Sequence, residues 1–236
     1  MNVVLADVDA VRLSAAAGQV DADTLAVPTD VGSWESVAAL ARATAERFGN
    51  VHLLCNNAAV TVPGLAWELT PEEWSWVVRV NLLGVAYGLR AFVPGMIAHG
   101  QWAHVVNTAS IGGLVAFPGL GLYAATKYGV VGLSESLAGD LAGAGARVGV
   151  SVLCPGPTDT EFRSHSSALH PHGGEHDAAA YDAVVRVSPE SVADQVVAAV
   201  RDGRFWILTH PEYNGTVARR TAAIVGGGEV VTAQIL

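Results

Sequence analysis

One feature limits the possible folds of this chain more than any other: short runs rich in Val, Leu and Ile alternate with longer segments of helical period. A strand that is apolar on both sides must be covered on both faces. A helix in each connection supplies that cover, so the pattern predicts a parallel sheet between two helical layers. The strand candidates are Val3 to Asp7, Leu25 to Pro28, Val51 to Asn56, His104 to Thr108, Arg147 to Leu153 and Phe205 to Thr209. Helices are expected near 9–17, 33–48, 71–98, 121–142 and 189–201, with start signals at Ser33, at Thr70 before Pro71, and at Ser188 before Pro189. No internal repeat and no linker rich in Pro, Gly or Ser divides the chain, so residues 1–236 are expected to form one domain. The stretch from Pro157 to Val187 has no clear period and reads as a binding loop or lid.

Charge and cysteine content narrow the partners. With 22 acidic residues against 13 Lys and Arg, the net charge of −9 offers no basic footprint for nucleic acid or an anionic membrane surface. Cys55 and Cys154 each lie in an apolar run and read as reduced core thiols, which points to a cytoplasmic setting. The first residues, interrupted by Asp7, lack the pattern of a signal peptide. From Ala91 to Thr126 there is no Asp, Glu, Lys or Arg. Glycines, Pro94, Pro118 and polar residues nevertheless break that stretch into pieces shorter than the ~20 apolar residues of a membrane span.

The sharpest chemical signal is Tyr123-Ala124-Ala125-Thr126-Lys127, with Ser110 upstream just past a predicted strand end. Residues at i and i+4 share a helix face, so an ammonium can lie close to the phenol. A free phenol, with a pKa near ~10, is a poor base at neutral pH, and a neighbouring cation favours its phenolate. Tyr123 would then serve as a proton donor or acceptor, and Ser110 would hold a substrate oxygen in line with it. Alone, the Tyr–Lys pair is equally compatible with a surface lysine beside a packed tyrosine.

It does not stand alone. Cys55-Asn56-Asn57-Ala58-Ala59 falls at one strand end, Val80-Asn81 within a long helix, Asn107-Thr108-Ala109-Ser110 at the next strand end, and Pro155-Gly156-Pro157-Thr158-Asp159-Thr160 after the one beyond. With these motifs in this order, the sequence resembles the short-chain dehydrogenase/reductase family from Val3 to about Pro211. The resemblance implies an α/β fold, a Rossmann-like doubly wound parallel sheet in three layers. It also implies an NAD(P)-dependent oxidoreductase that interconverts an alcohol and a ketone or aldehyde. Asn81, Ser110, Tyr123 and Lys127 match the family's catalytic tetrad: Tyr123 exchanges the proton, Ser110 orients the oxygen, Lys127 lowers the Tyr pKa and bonds the nicotinamide ribose, and Asn81 anchors a water leading to Lys127. For the cofactor, Asn56 and Ala58 fall along the adenosine and its ribose, Asp30 and Val31 near the adenine, and Pro155, Gly156, Thr158 and Thr160 around the nicotinamide. Asp7, at the end of the first strand, would accept from the ribose hydroxyls and repel a 2′-phosphate, which favours NAD over NADP. Read more plainly, Asp7 caps a strand end.

The chain departs from the family at its start: the first strand and the TGxxxGxG loop are missing, about 25 to 35 residues by the usual spacing to the ribose-binding acid. The expectation is that Met1 is an internal methionine of a longer protein. The rivals are a shortened, non-catalytic relative with a structural or oligomeric role, and an epimerase or dehydratase of the extended branch, which the short remainder after Thr160 disfavours. Weaker signals complete the picture. His165, His170, His172 and His176, with Glu175 and Asp177, match no metal-ligand spacing, so no metal is expected. Glu161, Phe162 and Arg163 fall near the pocket mouth, and Leu114, Val115 and Phe117 suit a partly apolar, small-molecule alcohol or carbonyl substrate. Trp74 and Trp76 read as packing residues, and Trp67 lies in the loop within reach of the pocket. The two long helices are too apolar for full exposure, and a homodimer or homotetramer is expected.

Overall fold

A computed structural model describes residues 1–173 and 186–233. Its strands are β1 (Val3–Asp7), β2 (Thr24–Pro28), β3 (Leu53–Asn56), β4 (Ala103–Thr108), β5 (Val148–Cys154) and β6 (Trp206–Leu208). The helices are α1 (Ala10–Ala17), α2 (Trp34–Phe48), α3 (Pro71–Val78), α4 (Gly84–Ala98), α5 (Gly121–Gly143), α6 (Phe162–Ala168), α7 (Pro189–Asp202) and α8 (Asn214–Gly226). Every strand pairing is parallel. The order β3-β4-β5-β6 makes one sheet, while β1 and β2 pair separately, with Val3 opposite Thr24 and Asp7 opposite Pro28.

Period-2 alternation sorts the core onto the two faces of the four-stranded sheet. Val105, Val150 and Val152 pack with Val85, Leu89 and Val93 of α4 and with Val130 and Val131 of α5. Val106, Leu153 and Ile207 turn the other way, against Ala199 and Val200 of α7. Cover on both faces is why β4 and β5 are buried along nearly their whole length. The Thr70 side chain accepts from the Glu73 N–H and Glu73 returns a bond to the Thr70 N–H, a capping box that starts α3 where the Thr-Pro signal predicted. Ser33 and Ser188 cap α2 and α7 in the same way as start signals.

The stretch 71–98 is one continuous helical path with a π-helical turn, Arg79–Leu83, in its middle. By length and apolarity alone it could cross a membrane, but its apolar face, including Val77, Val85, Leu89 and Val93, packs inside the fold.

The hydrogen-bonded sheet is interrupted between β1–β2 and β3–β6, where the missing first strand is expected, and the strands flanking the interruption carry exposed residues. Three features depart from expectation. Cys55 is exposed at the unpaired edge of β3, although its thiol pKa is still raised by burial, whereas Cys154 on β5 is buried. Trp67 is 80% exposed and stands off the protein surface. Helices α6 and α8 were not foreseen; α6 falls inside the aperiodic stretch, and α8 buries no residue, so no apolar stripe marks it.

Candidate active site

The polar side chains singled out by sequence gather at the carboxyl ends of the parallel strands, the edge at which open α/β sheets bind ligands. Asp7 ends β1, Asp30 and Val31 follow β2, Asn56 ends β3 with Ala58 just beyond, Ser110 follows β4, and Pro155, Gly156, Thr158 and Thr160 follow β5. Tyr123 and Lys127 lie at the start of α5, the crossover that leaves this same edge.

Ser110 and Tyr123 are brought together by the turn between β4 and α5. The Ser110 hydroxyl accepts from the Gly112 N–H at 3.1 Å and donates to the Pro155 carbonyl at 3.3 Å, and it hydrogen-bonds the Tyr123 phenol. One helical turn on, Lys127 is 1% exposed; its ammonium donates to the Thr108 carbonyl at 2.8 Å and lies 5.6 Å from the centre of the Tyr123 ring.

The electrostatics differ from the expectation that Lys127 draws the phenol downward. Burial pushes the Tyr123 phenol up to about 12, opposed by the Ser110 hydrogen bond and the Arg163 cation. The physical reason is that Lys127 is itself desolvated: burial brings its pKa down to about 7, so it is a weak source of positive charge at neutral pH. Cys154, also pushed up to about 12 by burial, stays a thiol beside them.

Asn81 occupies the π-helical turn and is fully buried. Its Oδ1 accepts from the Val60 N–H at 2.8 Å, and its Nδ2 donates to the Val60 carbonyl at 2.9 Å and to Thr126 Oγ1 at 3.1 Å. Thr126 in turn donates to the Tyr123 carbonyl at 2.8 Å. The side chain thus ties the loop after β3 and the first turns of α5 to the kink. The π turn is the irregularity in this helical path, and Asn81 sits within it.

The adenosine-side residues are more dispersed. Asp7 is exposed, and its Oδ1 accepts from the Asp9 N–H at 2.8 Å, as a strand-end cap would. Asp30 is exposed and accepts from the Gly32 N–H at 2.8 Å, while Val31 packs onto the bare Cα of Gly84. Asn56 faces inward. Its amide donates to Asn107 Oδ1 at 2.9 Å, and Asn107 donates to Ser134 Oγ at 3.0 Å, a buried relay from β3 through β4 to α5. Sequence reasoning used Asn107 only as part of a motif and missed Ser134 and Thr126; small polar residues at helical spacing inside an apolar helix were the available signal.

The segment after Thr160 closes over the site. Phe162 of α6 sets its ring 6.0 Å from that of Tyr123, Ser166 accepts from the Thr61 N–H at 3.1 Å, and His170 pairs with the buried Glu73 at 2.9 Å. Glu161 forms an ion pair with Arg12 of α1. His172 donates its backbone N–H to His170 Nδ1 at 3.2 Å, and His165 lies 3.7 Å from Glu161. His176, Glu175 and Asp177 lie outside the described residues. A groove of about 470 Å³ runs between β1 and α1, lined by Leu5, Ala6, Asp7, Leu13, Ala15 and Ala16, so the described cavity reaches Asp7 but not Tyr123.

A parallel sheet with its polar residues at the strand carboxyl ends defines a dinucleotide-binding α/β protein. The family model for short chain dehydrogenases matches residues 1–170. A CLA biosynthesis dehydrogenase/reductase from Lactiplantibacillus plantarum is 35% identical over 221 residues, 88% of this chain and 77% of that protein. The 1-deoxy-11-beta-hydroxypentalenate dehydrogenase of Streptomyces exfoliatus is 34% identical over 216 residues, 89% of this chain and 74% of that protein. Among solved structures, a short-chain dehydrogenase/reductase from Burkholderia phymatum in complex with NAD superposes with a TM-score of 0.91 and 36% identity, covering all of this chain and 89% of that one. The chain belongs to the short-chain dehydrogenase/reductase family of oxidoreductases.

Proposed function

We propose that this protein interconverts an alcohol and a ketone or aldehyde with NAD, and that Asn81, Ser110, Tyr123 and Lys127 form its catalytic group. The observation that carries the reading is the convergence at one strand edge of a phenol, a hydroxyl bonded to it and a desolvated amine. A nicotinamide bound there supplies the acceptor or donor of hydride. Tyr123 holds or releases a proton at its phenol oxygen. Ser110 shares the reacting oxygen and fixes its direction, and Lys127, with a pKa near about 7, can exchange a proton at working pH. Asn81 positions the turn of α5 that bears Tyr123.

The residues fit the nicotinamide cofactor in part. The exposed Asp7 has one carboxylate oxygen engaged by Asp9, which leaves the other for ribose hydroxyls, and the 155–160 turn adjoins Ser110. A glycine-rich phosphate cradle is not among the residues of this sequence. Asp7, followed by Val8 where a cation would suit a 2′-phosphate, supports NAD over NADP. Phe162, its ring 6.0 Å from that of Tyr123, supports a partly apolar substrate, and the name of the Streptomyces relative, a hydroxypentalenate dehydrogenase, agrees with that class. Assembly as a homodimer or homotetramer belongs to the same reading.

Turnover of NAD with a panel of apolar secondary alcohols, followed by NADH absorbance, tests the proposal. Tyr123→Phe is expected to reduce kcat/KM by ~10²-fold or more while the folded state and cofactor affinity persist. Undiminished turnover in that variant overturns the assignment.

A further inference from the structure

The turn Pro155-Gly156-Pro157 is gripped by one side chain from beyond β6. His210 is 3% exposed. Its Nδ1 accepts from the Gly156 N–H at 3.0 Å, and its Nε2 donates to the Pro157 carbonyl at 2.9 Å. The fit is tight: a Cβ on Gly156 would lie 2.6 Å from His210 Cγ. The other end of the turn reaches the phenol's partner, because the Pro155 carbonyl accepts from both the Ser110 hydroxyl and the Ile111 N–H. His210, the turn and Ser110 therefore form one connected unit.

The two bonds dictate the protonation state. A carbonyl oxygen offers no proton, so Nε2 must carry hydrogen, and a backbone N–H needs a lone pair, so Nδ1 must be bare. Only the neutral Nε2–H tautomer satisfies both. An imidazolium would set a second donor against the Gly156 N–H. Thr209 Oγ1, 2.7 Å from Nδ1, would take the new proton and leave Gly156 without its acceptor. Around the ring, the segment after β6 contributes Thr209, the gripped turn contributes backbone dipoles, and the turn Pro211–Tyr213 contributes Tyr213, its ring centre 6.4 Å away.

We infer that His210 is a positioning residue for the 155–157 turn and for Ser110, and that it acts only as the neutral imidazole, so protonation releases the turn. The consequence for activity rests on the proposed function, which puts the nicotinamide beside this turn.

The test has one readout that needs no cofactor. In the ¹⁵N-labelled full chain, the His210 nitrogens report the tautomer while hydrogen exchange of the Gly156 amide is followed across pH. The expected result is an Nε2–H tautomer at neutral pH, with Gly156 exchange slowed roughly tenfold relative to His210→Gln, about the worth of one hydrogen bond. Protection should fall as His210 protonates in the wild type. His210→Asn, whose carbonyl can replace Nδ1 without titrating, should keep it at all pH values. Protection that ignores His210 protonation overturns the inference, and the wild-type titration alone decides this even where a variant fails to fold. NADH fluorescence titration then gives a second reading. Affinity that tracks Gly156 protection supports the link to the cofactor. Affinity that stays constant while Gly156 is released overturns that link. A wild type that binds no NADH refutes the proposed function, while the exchange data still decide the role of His210.

Discussion

Replacing Asn81 with Ala removes three hydrogen bonds from a site with no access to solvent, and their partners set the size of the effect. The Val60 N–H and the Val60 carbonyl both bond to the Asn81 amide, and Val60 is itself buried. Leaving two buried backbone groups without partners costs about 1 to 3 kcal/mol each, or about 2 to 6 kcal/mol together. Thr126 keeps its bond to the Tyr123 carbonyl, so it adds little. Against a typical domain stability of about 5 to 15 kcal/mol, the loss is severe but survivable. Equilibrium urea unfolding followed by tryptophan fluorescence measures it. Asn81→Asp sharpens the test: its carboxylate still accepts from the Val60 N–H but faces the Val60 carbonyl with no proton. That raises its folded pKa above the unfolded value of about 3.9. The variant should therefore be most stable below that value and lose stability as pH rises through its folded pKa. A loss below about 1 kcal/mol for Asn81→Ala, or no recovery of Asn81→Asp in acid, would refute the claim that these bonds hold the π turn against the loop after β3.

Two further perturbations probe neighbouring parts of the site. Gly88→Ala would set a Cβ 2.1 Å from Asn56 Oδ1, displace that amide from Asn107, and lower stability by about 1 to 3 kcal/mol, read as a fall in Tm. For Lys127, whose folded pKa of about 7 lies below the unfolded value near 10.4, the contribution to stability is full above the unfolded value and lost as pH falls through the folded one. Wild-type stability should therefore rise from about pH 7 towards about pH 8.5, above which the raised Cys154 thiol offsets the gain, and Lys127→Met should flatten that slope in chemical denaturation at several pH values.

What could be read from sequence follows a physical division. Strands β4 and β5 and helices α5 and α7 were legible because burial on fixed faces leaves a periodic trace, and the starts of α2, α3 and α7 because Ser33, Thr70 and Ser188 mark them. Ser110, Tyr123 and Lys127 were legible as a cluster because helical spacing and a strand end fix their relative places. Their electrostatics were not: the phenol rises rather than falls because burial acts on both partners of the pair, and depth cannot be read from an i, i+4 spacing. Nor was the inward turn of Asn56, which depends on Gly88 and Asn107 arriving from two other elements. Cys55 looked like core because its run is apolar, yet exposure depends on what pairs with the strand's free edge.

Ser110, Tyr123, Lys127 and the 155–157 turn all sit on β4, β5 and α5, whose strands pair along their length and whose helices bury the main core. Buried polar contacts hold that side: Asn81 to Thr126, Asn107 to Ser134, and Lys127 to Thr108. Such fully bonded networks are rigid because any displacement leaves a desolvated group unpaired. Asp7 and Asp30 belong instead to the β1–β2 pair, where both side chains are exposed and accept from backbone amides two residues on. Perturbing β1–β2 should therefore weaken recognition at the adenosine side while the phenol, hydroxyl and amine keep their geometry. Perturbing the π turn or the 155–157 turn acts on the chemistry itself.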